Sequence, residues 1–336
     1  MIKIGFRVDG GAETGLGHIM RTLALAKAFP KNIERVFITK SKPKIKKLVL
    51  DSGFKVLDLN LEAKSEIEKV KSLIKTHNID ILITDSYELS QSYLFELKKV
   101  VGKLVSIHDF YPYPFPSDIV INGNAYAEEL DYDNSDSSTD FLLGPKYTLM
   151  REEFKNISRN NITENVESIL ITVGGSDKLN LTPEIVKSFV EIKQNLHLDI
   201  VIGPGFNNLN QIINALGKVD LEISLHFNLN NMSGLMLSND LAISAGGSTL
   251  YELATTGTPA ITLLQADNQI RVAKSMEKKG VILNLGFGDR ISQQDLRDNI
   301  KKIMNDFNLR REMSLAGQRL IDGQGAERVA KFILEQ

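Results

Sequence analysis

The sequence predicts an α/β protein made of two doubly wound parallel-sheet halves, and three observations carry that expectation. Short β-branched runs alternate with longer helical patterns along the chain, which is the signature of βαβ units. Each half supplies about six such runs, the size of one doubly wound unit. Each half also places a glycine-rich turn after its first run, residues 10–17 in one and "GGSD", Gly174 to Asp177, in the other.

Taken in order, the expected strands of the first half are "IKIGFRV", "RVFITK", "KVLDL", "IDILITD", "KLVSIHD" and "DIVING". Those of the second half are "SILITVGG", "LDIVIGP", "LEISL", "DLAISAGG", "PAITLL" and "GVILNL". The join falls near "LLGPKYTLMREEF", residues 142–154, after the polar segment "ELDYDNSDSSTD". This divides the chain into an N-terminal domain, 1–148, and a C-terminal domain, 149–336. The closing segment "RREMSLAGQRLIDGQGAERVAKFILEQ" reads as helix with a glycine break, its last helix free to pack back on the first domain. No short repeat or low-complexity tract is evident. Two similar domains facing each other would make a cleft.

Composition narrows the function. The chain has 336 residues, enough for about two domains, and 40 basic residues against 42 acidic ones. That balance argues against a nucleic-acid surface or a polyanionic partner and leaves small ligands as the natural class. With no cysteine there is no disulfide framework, thiolate nucleophile or cysteine zinc site. The start "MIKIGFRVDG" reads as a strand entering a turn rather than a signal peptide, and no apolar run approaches about 18 residues. The expectation is a soluble cytoplasmic protein; its oligomeric state is not legible, with a monomer favoured.

The stretch "RVDGGAETGLGHIMRTLALA" ends a glycine turn on His18. A Walker loop would need Gly-Lys followed by Ser or Thr, whereas Gly17 is followed by His18 and Ile19; a G-x-G-x-x-G begun at Gly15 and Gly17 would put its third glycine on Met20. Phosphate suits two other turns better. "GGSD" and "SAGGST" combine close backbone approach at Gly174, Gly175, Gly246 and Gly247 with the hydroxyls of Ser176, Ser248 and Thr249, each before a helix. Tight strand–helix packing with Ser or Thr caps would leave the same pattern. In open α/β sheets ligands sit beyond the carboxyl ends of strands, so all three turns could border one crevice.

The segments "GLGHIMRTLALA", "LLGPKYTLMREEF", "ITVGGSDKLNLT" and "LAISAGGSTLYELATTGTPAITLLQADNQ" together resemble the nucleotide-sugar hydrolases of pseudaminic acid biosynthesis, which act on UDP-2,4-diacetamido-2,4,6-trideoxy-β-L-altropyranose. The resemblance spans nearly the whole chain. The second half is also similar to the N-acetylglucosaminyltransferase of peptidoglycan assembly, which implies a GT-B-like fold with two Rossmann-like domains facing across a donor-sugar cleft. Thr22 stands where many relatives carry cysteine, and "RVDGGAETG" replaces a more usual turn bearing alanine and serine.

The resemblance implies that His18 is the general base, activating water for inverting attack on the anomeric carbon while UDP leaves. At a helix start, where added positive charge is disfavoured, a neutral ring able to take a proton is the expectation. A turn histidine without catalytic role is the alternative. The same neighbourhood, with Gly15, Gly17, Arg21, Asp85 and Tyr87, is expected at the sugar. Asp9 could orient His18, bind a sugar hydroxyl or cap its turn. His108 and Asp109 in "SIHDF" read as structural. In the second half the resemblance matches Glu252 to the glutamate that holds the ribose hydroxyls, although Thr249 and Glu252 also have capping-box spacing. Asn268 and Gln269 match the turn bordering sugar and phosphates, or form a plain polar turn.

Three patterns are set aside. "DYD", Asp131 to Asp133, lies in a polar loop, and "DYDNSD" lacks the glycine and final glutamate of a calcium loop. "KSKPKIKKLVL" holds five lysines between Lys40 and Lys47 and reads as a solvated loop and helix start more readily than as a membrane contact. No metal and no cofactor are expected, so N–H groups, hydroxyls and helix ends would stabilise the leaving diphosphate. A GT-B glycosyltransferase of surface polysaccharide synthesis and a non-catalytic nucleotide-sugar-binding protein remain as alternatives to the hydrolase.

Overall fold

A computed structural model of the chain describes residues 2–11, 16–59, 65–132, 138–192, 195–229 and 231–336. The chain divides into two compact units, Met1–Glu152 with Gly323–Gln336, and Glu153–Asp322. The first holds strands β1 Lys3–Val8, β2 Glu34–Thr39, β3 Lys55–Asp58, β4 Ile81–Asp85, β5 Lys103–Ile107, β6 Ile119–Asn122 and β7 Asp140–Leu143. The second holds β8 Ser168–Thr172, β9 His197–Ile202, β10 Glu222–Phe227, β11 Leu241–Ala245, β12 Ala260–Leu264 and β13 Ile282–Phe287.

Both sheets are parallel throughout, with orders β3-β2-β1-β4-β5-β6-β7 and β10-β9-β8-β11-β12-β13. The chain therefore winds outward in one direction from its first strand and then in the other. The reversal lies between β1 and β4 in the first unit and between β8 and β11 in the second, and this is where doubly wound sheets open a crevice at their carboxyl ends. Strand β7 is a seventh strand in the first sheet, absent from the six expected there. Its four residues follow a polar segment and carry too short an alternation to stand out from the join.

Parallel strands are covered on both faces, so their sequences are nearly continuous in apolar residues. On one face of the first sheet, Ile4, Phe6 and Val8 of β1 pack with Ile19, Leu23 and Leu25 of helix Gly17–Ala28 and with Val329 and Ile333 of the closing helix Gly325–Glu335. On the other, Val36, Ile38, Leu82 and Leu104 pack on Val70 and Ile74 of helix Glu66–Thr76 and Leu94 and Leu97 of helix Gln91–Lys98. The closing helix joins the first core through Gly325, where a Cβ would lie 2.2 Å from the Thr148 carbonyl oxygen, so only glycine lets the chain enter there. In the second unit, Ile169, Ile171, Leu198, Ile200, Ile243 and Ile261 form the core with Leu181, Ile185, Leu296 and Ile300.

Candidate active site

The first switch point is built by two neighbouring strand ends. Helix Gly17–Ala28 begins soon after β1; Leu16, before it, provides no side-chain cap, and the helix stops at Phe29, held extended ahead of Pro30. His18 and Arg21 stand one turn apart on the same helical face. Asp85 is the last residue of β4, the strand paired with β1. The Thr22 hydroxyl, fully buried, donates to the His18 carbonyl at 2.8 Å and lies 3.0 Å from that of Ile19, which ties down the same helical turn.

His18 is 7 % exposed and Asp85 is completely buried, with His18 Nδ1 2.6 Å from Asp85 Oδ1. The carboxylate only accepts, so Nδ1 carries the proton and, in the neutral ring, Nε2 is the free acceptor. Arg21 grips the same carboxylate in a fork, Nε on Oδ2 at 2.6 Å and Nη2 on Oδ1 at 2.6 Å, and Nη1 reaches Asp109 Oδ1 at 2.7 Å. Arg21 Nη2 also lies 3.1 Å from His18 Nδ1, but that nitrogen is already a donor, so the contact is one of neighbouring donors on a shared carboxylate. Burying Asp85 without partners would cost several kcal/mol; here the fork and the imidazole N–H satisfy it.

Tyr87 follows on the same strand exit. Its ring stands edge-on to His18 with centroids 4.6 Å apart and its hydroxyl donates to Asp109 Oδ2. Burial, and then the charge of Asp109, push that hydroxyl far above its ordinary range, so Tyr87 is a neutral donor. Burial would raise the Asp109 carboxyl, yet Arg21 and the hydrogen bonds from Tyr87, Arg21 and Asn124 outweigh it and hold it well below the usual carboxylate range. His108 lies behind Tyr87, ring centroids 5.4 Å apart, with its Nδ1 2.8 Å from the Phe110 carbonyl oxygen; burial depresses its basicity.

Several expected residues stand elsewhere. Asp9 does not orient His18: its Oδ1 accepts from the Lys40 N–H at 2.8 Å and the Thr39 hydroxyl at 2.9 Å, and Oδ2 pairs with Arg7 at 2.6 Å. The orienting carboxylate is Asp85. Gly17 is exposed at the helix start with open space around it, and Gly15 lies outside the described residues, as do Asp133 of the "DYD" triplet and the rest of "DYDNSD" after it. In the lysine run, Lys40 pairs with Glu66 at 3.2 Å and Glu88 at 3.1 Å, and Lys46 with Asp58 at 2.6 Å.

The second switch point is made of backbone. Gly174 has φ +90°, and a Cβ on either Gly174 or Gly175 would meet nothing within 4 Å. The loop after β9 leans directly on this turn: a Cβ on Gly203 would lie 2.5 Å from the Gly174 carbonyl oxygen, and Gly205 N–H donates to the Gly175 carbonyl at 2.9 Å. Asp177 is turned inward, accepting from Leu181 N–H at 2.6 Å, Thr182 N–H at 2.9 Å and Asn208 Nδ2 at 2.9 Å. Ser176 is half-buried.

Beside it, the turn Gly246–Ser248 opens helix Thr249–Thr256. Ser248 is its N-cap residue, exposed and without a side-chain cap bond. That register puts Glu252 at the fourth helical position rather than the third, so Thr249 and Glu252 do not form a capping box; Glu252 is half-buried. Two glutamines stitch the turns together. Gln269 Oε1 accepts from Gly246 N–H at 3.2 Å and Gln265 N–H at 2.8 Å, while Gln265 Nε2 donates to the carbonyls of Val173 at 2.9 Å and Ser176 at 3.3 Å. The Gln269 carbonyl is thus committed to the loop, and Asn268 is exposed.

Sequence reasoning named Asp109 only as half of a structural pair and did not single out Asn124, Gly203 or Gln265. The signals available were a strand-end Asp after His108 and the "GPG" that follows β9. Among the described residues, no group of three or more His, Asp or Glu side chains is placed to hold a metal ion, and no helix is long and apolar enough to cross a membrane.

Two Rossmann-like parallel-sheet units, one bearing an oriented histidine and the other glycine turns at the same point of the fold, give the chain the GT-B fold. Residues 168–329 match the glycosyltransferase family 28 C-terminal domain. The chain resembles the hydrolases of the pseudaminic acid pathway: it is 27 % identical over 280 residues to the UDP-2,4-diacetamido-2,4,6-trideoxy-β-L-altropyranose hydrolase of Campylobacter jejuni, covering 83 % of this chain and 97 % of that protein. It is 25 % identical over 340 residues to the spore coat polysaccharide biosynthesis protein SpsG of Bacillus subtilis, covering 99 % and 98 %. An uncharacterized protein of Methanocaldococcus jannaschii is 31 % identical over 284 residues, 80 % of this chain, which spans 57 % of that protein's length. In structure the chain superimposes on MurG of Acinetobacter baumannii with a TM-score of 0.77 over the whole of both chains at 14 % identity, a likeness of fold.

Proposed function

We propose that the protein hydrolyses a nucleotide sugar at its anomeric carbon, releasing the nucleoside diphosphate, with a UDP-linked diacetamido-trideoxy sugar as the substrate class. The single observation that carries this reading is the 2.6 Å contact between His18 Nδ1 and the buried Asp85 carboxylate: the carboxylate accepts the Nδ1–H hydrogen bond, which leaves Nε2 as an acceptor on a buried, braced ring. That is the state a general base needs. In the step itself Nε2 removes a proton from water as the water oxygen bonds to the anomeric carbon. The carbon–oxygen bond to the diphosphate breaks, and its electron pair leaves with the diphosphate.

The assignment gives the second unit the nucleotide. Open backbone at Gly174, Gly175 and Gly247, with hydroxyls from Ser176, Ser248 and Thr249, suits phosphate oxygens, and the half-buried carboxylate of Glu252 suits a ribose diol. Asn268 would face the sugar and phosphates, with Gln269 holding the turn that presents it. The stabilisation of the leaving group is assigned to these donors without a metal ion.

The testing experiment is a screen of nucleotide sugars for diphosphate release with no acceptor present, repeated in excess chelator. Release of diphosphate and free sugar in both conditions is the expected result. A second reading, a glycosyltransferase, is favoured by the family 28 match and by the polysaccharide name of the Bacillus subtilis relative; it predicts no release until an acceptor alcohol is added. Activity lost in chelator and restored by magnesium or manganese would refute the metal-free account of the leaving group.

A further inference from the structure

The titratable and charged side chains in contact with His18 among the described residues are Asp85 from β4, Arg21 from its own helix and Tyr87 beyond β4. Asp109 stands at one remove and touches two of these three. Its Oδ1 is 2.7 Å from Arg21 Nη1 and its Oδ2 receives the Tyr87 hydroxyl. It is itself secured from the segment after β6, with Asn124 Nδ2 2.7 Å from Oδ1 and the Tyr126 hydroxyl 3.0 Å from its carbonyl oxygen. One carboxylate thus fixes both the guanidinium and the aromatic ring that flank His18.

The charge count gives this arrangement a consequence. One guanidinium and two carboxylates leave a single surplus negative charge in the cluster while His18 is neutral. When His18 takes a proton the cluster becomes neutral. Without Asp109 the same event would leave a net positive charge in a buried site, with Arg21 Nη2 only 3.1 Å from Nδ1, and uncompensated buried charge is costly. We propose that Asp109 is a positioning residue that supplies the second carboxylate of this cluster, holding Arg21 and Tyr87 against His18 so that the imidazolium formed on proton abstraction is charge-balanced. The proposal rests on His18 being the base, and its test separates the two.

The experiment follows the His18 imidazole by NMR titration of the full chain, its signal assigned by loss in His18→Asn. Asp109→Asn keeps an oxygen for Arg21, removes the charge and turns an NH2 toward the Tyr87 hydroxyl, which can accept from it; it should move the His18 midpoint down by about one pH unit. Arg21→Gln removes the opposing charge and should move it up, and the double variant should return toward the parent. The acid limb of the kcat/KM profile for diphosphate release should move in the same directions. A structural role alone would not produce shifts of opposite sign. Unchanged His18 midpoints in both single variants would overturn the proposal, whereas midpoints that move while the acid limb stays in place would refute His18 as the base and leave the charge-balanced cluster standing.

Discussion

The two switch points occupy the same place in two copies of one topology, yet they are furnished differently. Between β1 and β4 the strand exits carry His18, Arg21, Asp85 and Tyr87, joined by charge-assisted contacts of 2.6–2.7 Å that extend to Asp109 after β5. Between β8 and β11 they carry Gly174, Gly175, Gly246 and Gly247, joined through neutral amides and peptide groups. Parallel sheets direct both sets to the carboxyl edge, so the fold supplies position and the side chains supply chemistry. An ionisable cluster can move a proton; a glycine turn offers N–H groups that stay fixed whatever the pH. On this account, damage to the first point should appear in turnover and damage to the second in nucleotide affinity.

The sharpest way to break the contrast is at Asp85. Asp85→Asn keeps the size but removes the charge and lets an amide NH2 face His18 Nδ1, which favours the tautomer with the proton on Nε2. Turnover should fall by about 10²–10⁴-fold, as should that of His18→Asn, with UDP affinity by calorimetry nearly unchanged. Comparable loss of UDP binding would erase the division of labour. In the second unit, Gly203→Ala would place a methyl 2.5 Å from the Gly174 carbonyl oxygen. Overpacking of about 1–3 kcal/mol at the loop predicts UDP affinity weakened by about fivefold to 150-fold, with turnover at saturation little altered.

A smaller effect is expected at Gln265. Its amide bonds the carbonyls of Val173 and Ser176, each worth about 1 kcal/mol, so Gln265→Ala should weaken UDP binding about five- to thirtyfold. The smallest effect concerns acid stability. The folded-state carboxyl of Asp109 lies below its ordinary range because Arg21 and three hydrogen bonds outweigh burial. Its stabilisation is therefore complete above the unfolded value of about 3.9 and drains away as pH falls through the folded value. Urea denaturation at pH 5 and pH 2.5 should show Asp109→Asn losing less stability on acidification than the parent; an equal or larger loss would contradict the ion-pair assignment.

Much of this architecture can be read locally. Among the described residues, twelve of the thirteen strands announce themselves as β-branched runs ended by turn residues, while β7 is four residues long after a polar stretch and does not. His18 is conspicuous because it ends a glycine turn. Its partner is harder to find, because Asp85 lies 67 residues further on and is brought alongside only because β4 pairs with β1. Asp109 is harder still, being reached through Arg21, and beside His108 it reads as half of a structural pair. Asp9, at the close of the first strand, left open a partner for His18, a sugar ligand and a turn cap; the close of β2 claims it through Thr39 and Lys40. Gly203 looks like an ordinary strand exit until the turn after β8 is seen pressed against it. Local pattern carries element type and core; strand order carries the pairs.

The claim that the first unit activates water against carbon is tested most directly by hydrolysis in ¹⁸O-labelled water, with products read promptly because a free sugar exchanges its anomeric oxygen. The account predicts label on the anomeric oxygen of the sugar and none in the released nucleoside diphosphate. Label in the nucleotide phosphate, with sugar phosphate and nucleoside monophosphate as products, would place the attack on phosphorus and contradict it.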